Sequence, residues 1–279
     1  MRILVTGAGG QLGRELLQRL GPNAVGLTRS DADIGDAEAI DAAVRRERPD
    51  ALINCAAYNA VDTAETDPQA AYAGNALGPR TLARVTAAHG VRLIHVSTDY
   101  VFGADRERRR PYTPEDRPGA LSAYGVSKLA GEQFVLASNP TAVVVRTCGL
   151  YGRFGGNFVK TMLRLAGERD EVSVVDDQRC TPTSCADLAG WLHDITATNI
   201  SGTVHATNVG DTTWAGFARE IFDAAGVGTR VRSITSAEFG AAAERPRYSV
   251  LDCPTLPAER STWQEAVRKF VDVMACESA

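Results

Sequence analysis

The chain has no large excess of either charge: over 279 residues, 30 Lys and Arg stand against 34 Asp and Glu, a net of −4. With a pI of about 5.7, it lacks the basic footprint expected for nucleic acid or an anionic membrane. No apolar run reaches the ~18 residues that suggest a membrane helix. The N-terminal "MRILVTGAGG" enters a strand pattern at once, so no signal peptide and a cytoplasmic location are expected. The six cysteines (Cys55, Cys148, Cys180, Cys185, Cys253 and Cys276) have no C-x-x-C spacing. Reduced thiols are therefore expected rather than disulfides. The four histidines, His89, His95, His193 and His205, show no metal-ligand spacing, so no metal is expected. There is no internal repeat. One charge run, "RERRRP" (106–111), reads as a solvated loop or a contact for an anionic substrate.

What is present is alternation. "RILVT" (2–6), "AVGLT" (24–28), "ALINCA" (51–56), "VRLIHVS" (91–97) and "AVVVRT" (142–147) read as buried strands. Helical patterns lie over 11–20, 37–47, 68–89 and 123–137. Asp67 and Pro68 suit the N-cap and first position of the third helix, and Pro79 should kink or divide it. Strands alternating with helices predict an α/β fold: a doubly wound parallel sheet of the Rossmann type with a smaller C-terminal substrate-binding domain. The nominal boundary is near residue 150, giving 1–150 and 151–279, with about 185–206 packing back on the sheet. A strand order of 3-2-1-4-5-6 would put ligands between strands 1 and 4.

The first strand runs into "GAGGQLG", with Gly7, Gly10 and Gly13 spaced G-x-x-G-x-x-G. A tight turn and close approach of backbone to a pyrophosphate exclude side chains, and the following helix offers free N–H groups. Gln11 and Leu12 sit at that helix start. A strand before and a helix after supply the context of a dinucleotide site. The second strand ends in "TRSDADIGD" (28–36). Arg29 suits the 2′-phosphate of NADPH, while Asp31 and Asp33 would suit the hydroxyl of NADH. NADPH is the preferred cofactor, with NADH possible.

Two further stretches carry chemistry. "STDYVFG" puts Thr98, Asp99 and Tyr100 at the end of the fourth strand. "SAYGVSKLAGE" puts Tyr124 and Lys128 one helical turn apart, behind a Ser122 cap. An ammonium beside a phenol favours the phenolate, which makes the tyrosine a usable acid. Thr98 can hold a carbonyl oxygen and Tyr124 can deliver the proton. Lys128 can tune Tyr124 and reach the nicotinamide ribose.

These motifs resemble those of the extended short-chain dehydrogenase/reductases. "AAYNAVDTAE" (56–65), "NALG" (75–78), "GNFVKTMLRLA" (156–166), "VVDDQRCTPTS" (174–184) and "RPRYSVLD" (245–252) resemble, more narrowly, the dTDP-4-dehydrorhamnose reductase branch. The resemblance spans nearly the whole chain. It implies that Thr98, Tyr124 and Lys128 form a catalytic triad. It puts Ala56, Ala57 and Tyr58 on the cofactor side of the cleft and Asn59 and Val61 toward the substrate. Asp33 and Ile34 would flank the adenine, and Asn75 would brace the site from behind. Thr98, Asp99, Tyr100, Gly149, Asn157 and Arg179 would meet the substrate, with Gln178, Thr181 and Arg245 as further candidates. The implied activity is NAD(P)H-dependent reduction of the C4 keto group of a dTDP-linked 4-keto-6-deoxysugar. The implied partners are that nucleotide sugar and a second copy in a homodimer, with neither nucleic acid nor membrane.

Two positions depart from the branch. "RTCGLYG" puts Cys148 and Gly149 where a tryptophan usually walls the sugar pocket, and Cys180 stands where glycine is common. Either the pocket is open for another deoxysugar, or Tyr151 or Tyr100 replaces the wall. A dehydratase is disfavoured, because Tyr100 follows Asp99 where a second carboxylate is needed. A sugar-nucleotide epimerase and a non-catalytic regulatory subunit remain the alternatives.

Overall fold

The computed structural model describes residues 1–256 and 258–278. The first half alternates strands β1 (Ile3–Thr6), β2 (Ala24–Leu27), β3 (Ala51–Asn54), β4 (Arg92–Thr98) and β5 (Val143–Thr147) with helices α1 (Gln11–Leu20), α2 (Ala37–Glu47), α3 (Pro68–Tyr72), α4 (Gly78–Ala88) and α5 (Ala123–Ser138). The second half begins with β6 (Leu150–Tyr151), α6 (Phe158–Ala166), β7 (Glu171–Val175), β8 (Arg179–Cys180), β9 (Thr183–Ser184), α7 (Cys185–Thr196) and β10 (Gly202–His205). It ends with β11 (Thr212–Thr213), α8 (Trp214–Ala225), β12 (Arg230–Ile234), α9 (Ser236–Phe239) and α10 (Trp263–Ser278).

Local signals set the boundaries. Asp36 caps α2 by accepting from the backbone of Glu38 and Ala39. Ser122 caps α5 through Gly125 N at 3.1 Å. Asp67 caps α3, with Pro68 in its first turn. A π-helical stretch, Ala73–Leu77, then separates α3 from α4, and Pro79 falls in the first turn of α4. Proline lacks the donor that an uninterrupted helix would require there.

The main sheet is parallel, in the order β10-β5-β4-β3-β1-β2. This corrects the expected order, in which strand 4 adjoins strand 1: β3 lies between them, with Ile3 beside Ala51 and Ala51 beside Arg92. Burial gives the reason. All four residues of β3 are buried, whereas β2 is mostly half-exposed and takes the edge. The order therefore reverses between β1 and β3.

Alternate strand residues feed two cores, as the period of a strand requires. On one face Val5, Ile53 and Val145 meet Leu16 of α1 and Leu188 of α7. On the other, Leu4, Leu52 and Val144 meet Ile40 of α2 and Leu82 of α4. Thus α7 and β10 belong to the main sheet layer. A third core, including Tyr151, Phe217, Ile221 and Phe270, holds α6, α8 and α10 against β7 and β12. Among the described residues, no helix is long and apolar enough to cross a membrane.

Candidate active site

A crevice of about 530 Å³ opens between the carboxyl ends of the central strands and the second lobe. Its first wall is backbone. Gly7 has φ +71, and a Cβ there would lie 2.5 Å from Ala56 N; one at Gly13 would lie 2.2 Å from Gly7 O. Only glycine allows this turn to press on the chain beneath it. No side chain caps α1 among the described residues, which leaves its first N–H groups without a side-chain partner there, and Gly10, Gln11 and Leu12 line the crevice.

Ala57, Asn59 and Val61 line the next stretch. Ala56 N donates to Asn54 Oδ1 at 3.0 Å, which anchors the turn to β3. Tyr58 lies with Tyr124 in a small apolar cluster. Asn75 accepts from Tyr58 N at 2.8 Å and donates to Ser127 Oγ at 3.0 Å. It thereby joins this loop to α5 from behind. Arg29, Asp33 and Ile34 lie past the end of β2, outside the crevice lining. The Arg29 side chain is 90% exposed, and its Nε donates to Asp33 at 3.0 Å. Ile34 packs where a Cβ on Gly78 would have to be.

Thr98 ends β4, and Tyr124 and Lys128 come down on α5, so all three line the crevice. The Thr98 hydroxyl lies close enough to the Tyr124 phenol to act on its acidity, and it donates to Asp99 Oδ1 at 3.2 Å. Burial raises the phenol pKa, and Thr98 only partly offsets this. The expected depression by Lys128 is therefore not what the structure shows. The Lys128 ammonium instead donates to Val96 O at 2.7 Å. Burial lowers its pKa to about 8, opposed by Glu132 and Cys55.

Asp99 is 2% exposed and accepts from Ser249 Oγ at 2.5 Å and Cys148 Sγ at 3.0 Å. Burial holds its carboxyl above the usual range despite those bonds. Tyr100 stands edge-on to Tyr124, centroids 5.9 Å apart, and lines the crevice. Tyr151 does not: its ring is in the third core, 5.5 Å from Phe217 and 5.4 Å from Phe270. It therefore cannot be the replacement wall. The thiols of Cys148 and Cys180 lie beside each other and both line the crevice, so the two departures from the family pattern are neighbours. Gly149, also in the lining, has φ +55, and a Cβ there would meet Pro182 Cα at 3.2 Å.

The residues expected to hold the nucleotide end are already engaged. Asn157 donates to Gln11 Oε1 at 2.9 Å and Gly152 O at 2.8 Å, and caps α6 through Lys160 N. Arg179 lines the crevice but pairs with Asp211. Gln178 donates to Ser236 Oγ at 2.8 Å and Thr181 to Gly210 O at 2.8 Å. Arg245 grips Asp62 through two bonds of 3.1 and 2.7 Å. In the charge run, Arg108 is neither solvated nor in the crevice lining. It is 8% exposed, bonded to Asp116 at 2.6 Å and set 4.2 Å over the Tyr112 ring.

The sequence reading missed Thr147 and Trp214, both in the lining. Thr147 is buried, and its hydroxyl has no partner among the described residues. It ends a strand beside Thr98, the same positional signal that singled out Thr98. Trp214 opens α8 and packs on Phe158 at 4.8 Å; nothing in its local sequence marks it.

A family model described as RmlD substrate binding domain matches residues 1–276. A dTDP-4-dehydrorhamnose reductase from Streptomyces griseus is 46% identical over 275 residues, spanning 95% of this chain and 88% of that protein. A protein from Streptomyces antibioticus, named probable dTDP-4,6-dihydroxy-2-methyloxan-3-one 4-ketoreductase, is 44% identical over 99% of this chain and 97% of its own length. The crystal structure of dTDP-4-dehydrorhamnose reductase from Bacillus anthracis in complex with NADP has a TM-score of 0.94 to this chain at 39% identity, covering 98% of this chain and 99% of that one. The chain belongs to the RmlD family, within the extended short-chain dehydrogenase/reductases that its motifs resemble.

Proposed function

We propose that the chain reduces the C4 keto group of a dTDP-linked 4-keto-6-deoxysugar, with NADPH as reductant. The observation that carries this reading is the meeting of Thr98, Tyr124 and Lys128 in one crevice with an uncapped, glycine-walled helix N-terminus. That cradle fits a dinucleotide: a side chain at Gly7 or Gly13 would fill it, and the free N–H groups suit a pyrophosphate. The exposed Arg29 guanidinium suits a 2′-phosphate, and the Bacillus anthracis relative is seen with NADP. When bound, the cofactor supplies hydride.

The chain supplies the rest. Thr98 holds the carbonyl oxygen. Tyr124, kept protonated by burial, donates the proton that the new alkoxide needs. Lys128 places a positive charge beside that exchange and reaches the ribose. Because Tyr100 follows Asp99, elimination has no second carboxylate. The two Streptomyces relatives are named for different sugars, and the crevice beside Gly149 is bounded by small thiols. Several deoxysugars are therefore substrates in this reading.

The test is NADPH consumption with a panel of dTDP-linked 4-keto-6-deoxysugars, with the product configuration read by NMR. Absence of turnover with every member would sink the proposal. Arg29→Ala should weaken NADPH by the ~1.5–3 kcal/mol of a charged hydrogen bond and leave NADH unchanged. Equal losses for both cofactors would make Arg29 a loop residue only.

A further inference from the structure

A buried ion pair that this chemistry does not use lies behind Tyr124 and Lys128. Glu132, one turn beyond Lys128 on α5, is 2% exposed, and Arg146 on β5 is 4% exposed. Arg146 Nη2 donates to Glu132 Oε2 at 2.7 Å, and its Nε to both oxygens at 3.0 and 3.2 Å. Ser97 Oγ donates to Oε1 at 2.5 Å. Strand β4 thus holds both acid and base: Ser97 binds Glu132, and the carbonyl of the residue before it, Val96, takes the Lys128 ammonium. Side chains one turn apart on a helix are neighbours. Burying such a pair seldom adds stability over an apolar pair of the same volume, so stability alone is a poor reason for it.

We propose that Glu132 is a positioning residue for Lys128: its carboxylate, fixed by Ser97 and Arg146, keeps the ammonium charged and in place at the crevice. The inference rests on reading Lys128 as a site residue. The titratable groups that act on Lys128 or feel its charge are Glu132 from α5, Cys55 after β3 and His95 on β4. The Cys55 thiol is pushed up to about 12 by burial, and burial and Lys128 together hold His95 well below its ordinary value. Both are therefore neutral near pH 7, and Glu132 is the anion of the group. It is also the foremost influence opposing the burial that brings Lys128 down to about 8. Without the carboxylate, Lys128 would lose its proton at lower pH.

The test is the pH dependence of NADPH binding and of kcat/KM. Glu132→Gln keeps the shape and an acceptor for Ser97. Its alkaline limb should move to lower pH by about one unit, with activity just above neutral falling up to about tenfold. Because this variant leaves Arg146 buried and unpaired, which is destabilising, a second variant combines Glu132→Gln with Arg146→Gln. It too lacks the carboxylate, and its limb should also lie below the parent's. Limbs that superpose on the parent's overturn the proposal, whatever happens to Tm. Lys128→Met is the control, read by NADPH binding. If the limb survives there, Lys128 itself has been misread. If it vanishes there yet stays unmoved in both Glu132 variants, only the role of Glu132 falls.

Discussion

Along the glycine loop the crevice is faced by backbone: Gly10 donates to Gly7 O at 2.9 Å, and no side chain caps α1 among the described residues. Along the opposite rim it is faced by side chains that hold one another. Arg179 pairs with Asp211, and Ser249 and Cys148 both serve Asp99. Just off that rim, Arg245 grips Asp62. The first wall is backbone whose helix start no side chain caps among the described residues. The second owes its shape to internal bonds, so its polar residues act first as scaffold. A substrate must either share these groups or displace their partners.

The sharpest way to break this contrast is to put one side chain into the backbone wall. In Gly13→Ala the new Cβ would fall 2.2 Å from Gly7 O. Two backbone segments cannot relax as a side-chain tip can, so the cost should reach ~3 kcal/mol or more. Thermal unfolding and NADPH fluorescence should both show the loss. A variant that bound NADPH like the parent would sink the idea of a backbone-built wall. Next in size is Tyr124→Phe. Loss of the general acid should lower turnover by about 100-fold or more. NADPH affinity should stay, because the ring and its contact with Tyr100 remain. Near-normal turnover with chemistry rate-limiting would require another proton donor.

The same contrast explains what could be read from sequence. The glycine wall depends on residues close together in the chain, and the α1 bounds are the same from pattern and structure. The Tyr124–Lys128 spacing is likewise local. The bonds that support the rim from outside the lining are not: Asn157 meets Gln11 across 146 positions, and Arg245 meets Asp62 across 183. A polar residue in a loop shows its type in the sequence but not its partner, so these residues looked like free ligand anchors. The strand order failed for a related reason. Helix spacing says that β3 follows α2, but not on which side of β1 it must lie to be buried. Tyr124 was misjudged in sign because spacing shows a lysine one turn away and nothing of the depth at which the phenol sits.

Asn157→Ala tests the bonds behind that rim. A substrate anchor, when removed, raises the KM of the sugar nucleotide alone. The structure instead ties Asn157 to Gln11 at the glycine loop. The expected result is therefore weaker NADPH binding, by the ~1 kcal/mol of one hydrogen bond. An effect confined to the sugar nucleotide would return Asn157 to the substrate.

Gly149 is the smallest and most discriminating case, because it is a backbone position set in the side-chain rim. Two reasons for a glycine there compete: room for a sugar, or a conformation other residues resist. Its φ of +55 and the 3.2 Å from a would-be Cβ to Pro182 Cα favour the second. They also make Gly149→Trp a poor way to restore a wall, since strain and occlusion would arrive together. Gly149→Ala adds one carbon and separates them. A left-handed backbone angle disfavours alanine by ~1 kcal/mol, so Tm should fall by a few degrees while the ranking of deoxysugars stays the same. If stability were unchanged and the bulkier sugars were lost instead, the glycine would be there for space. The rim would then be shaped by its substrate rather than by its own bonds.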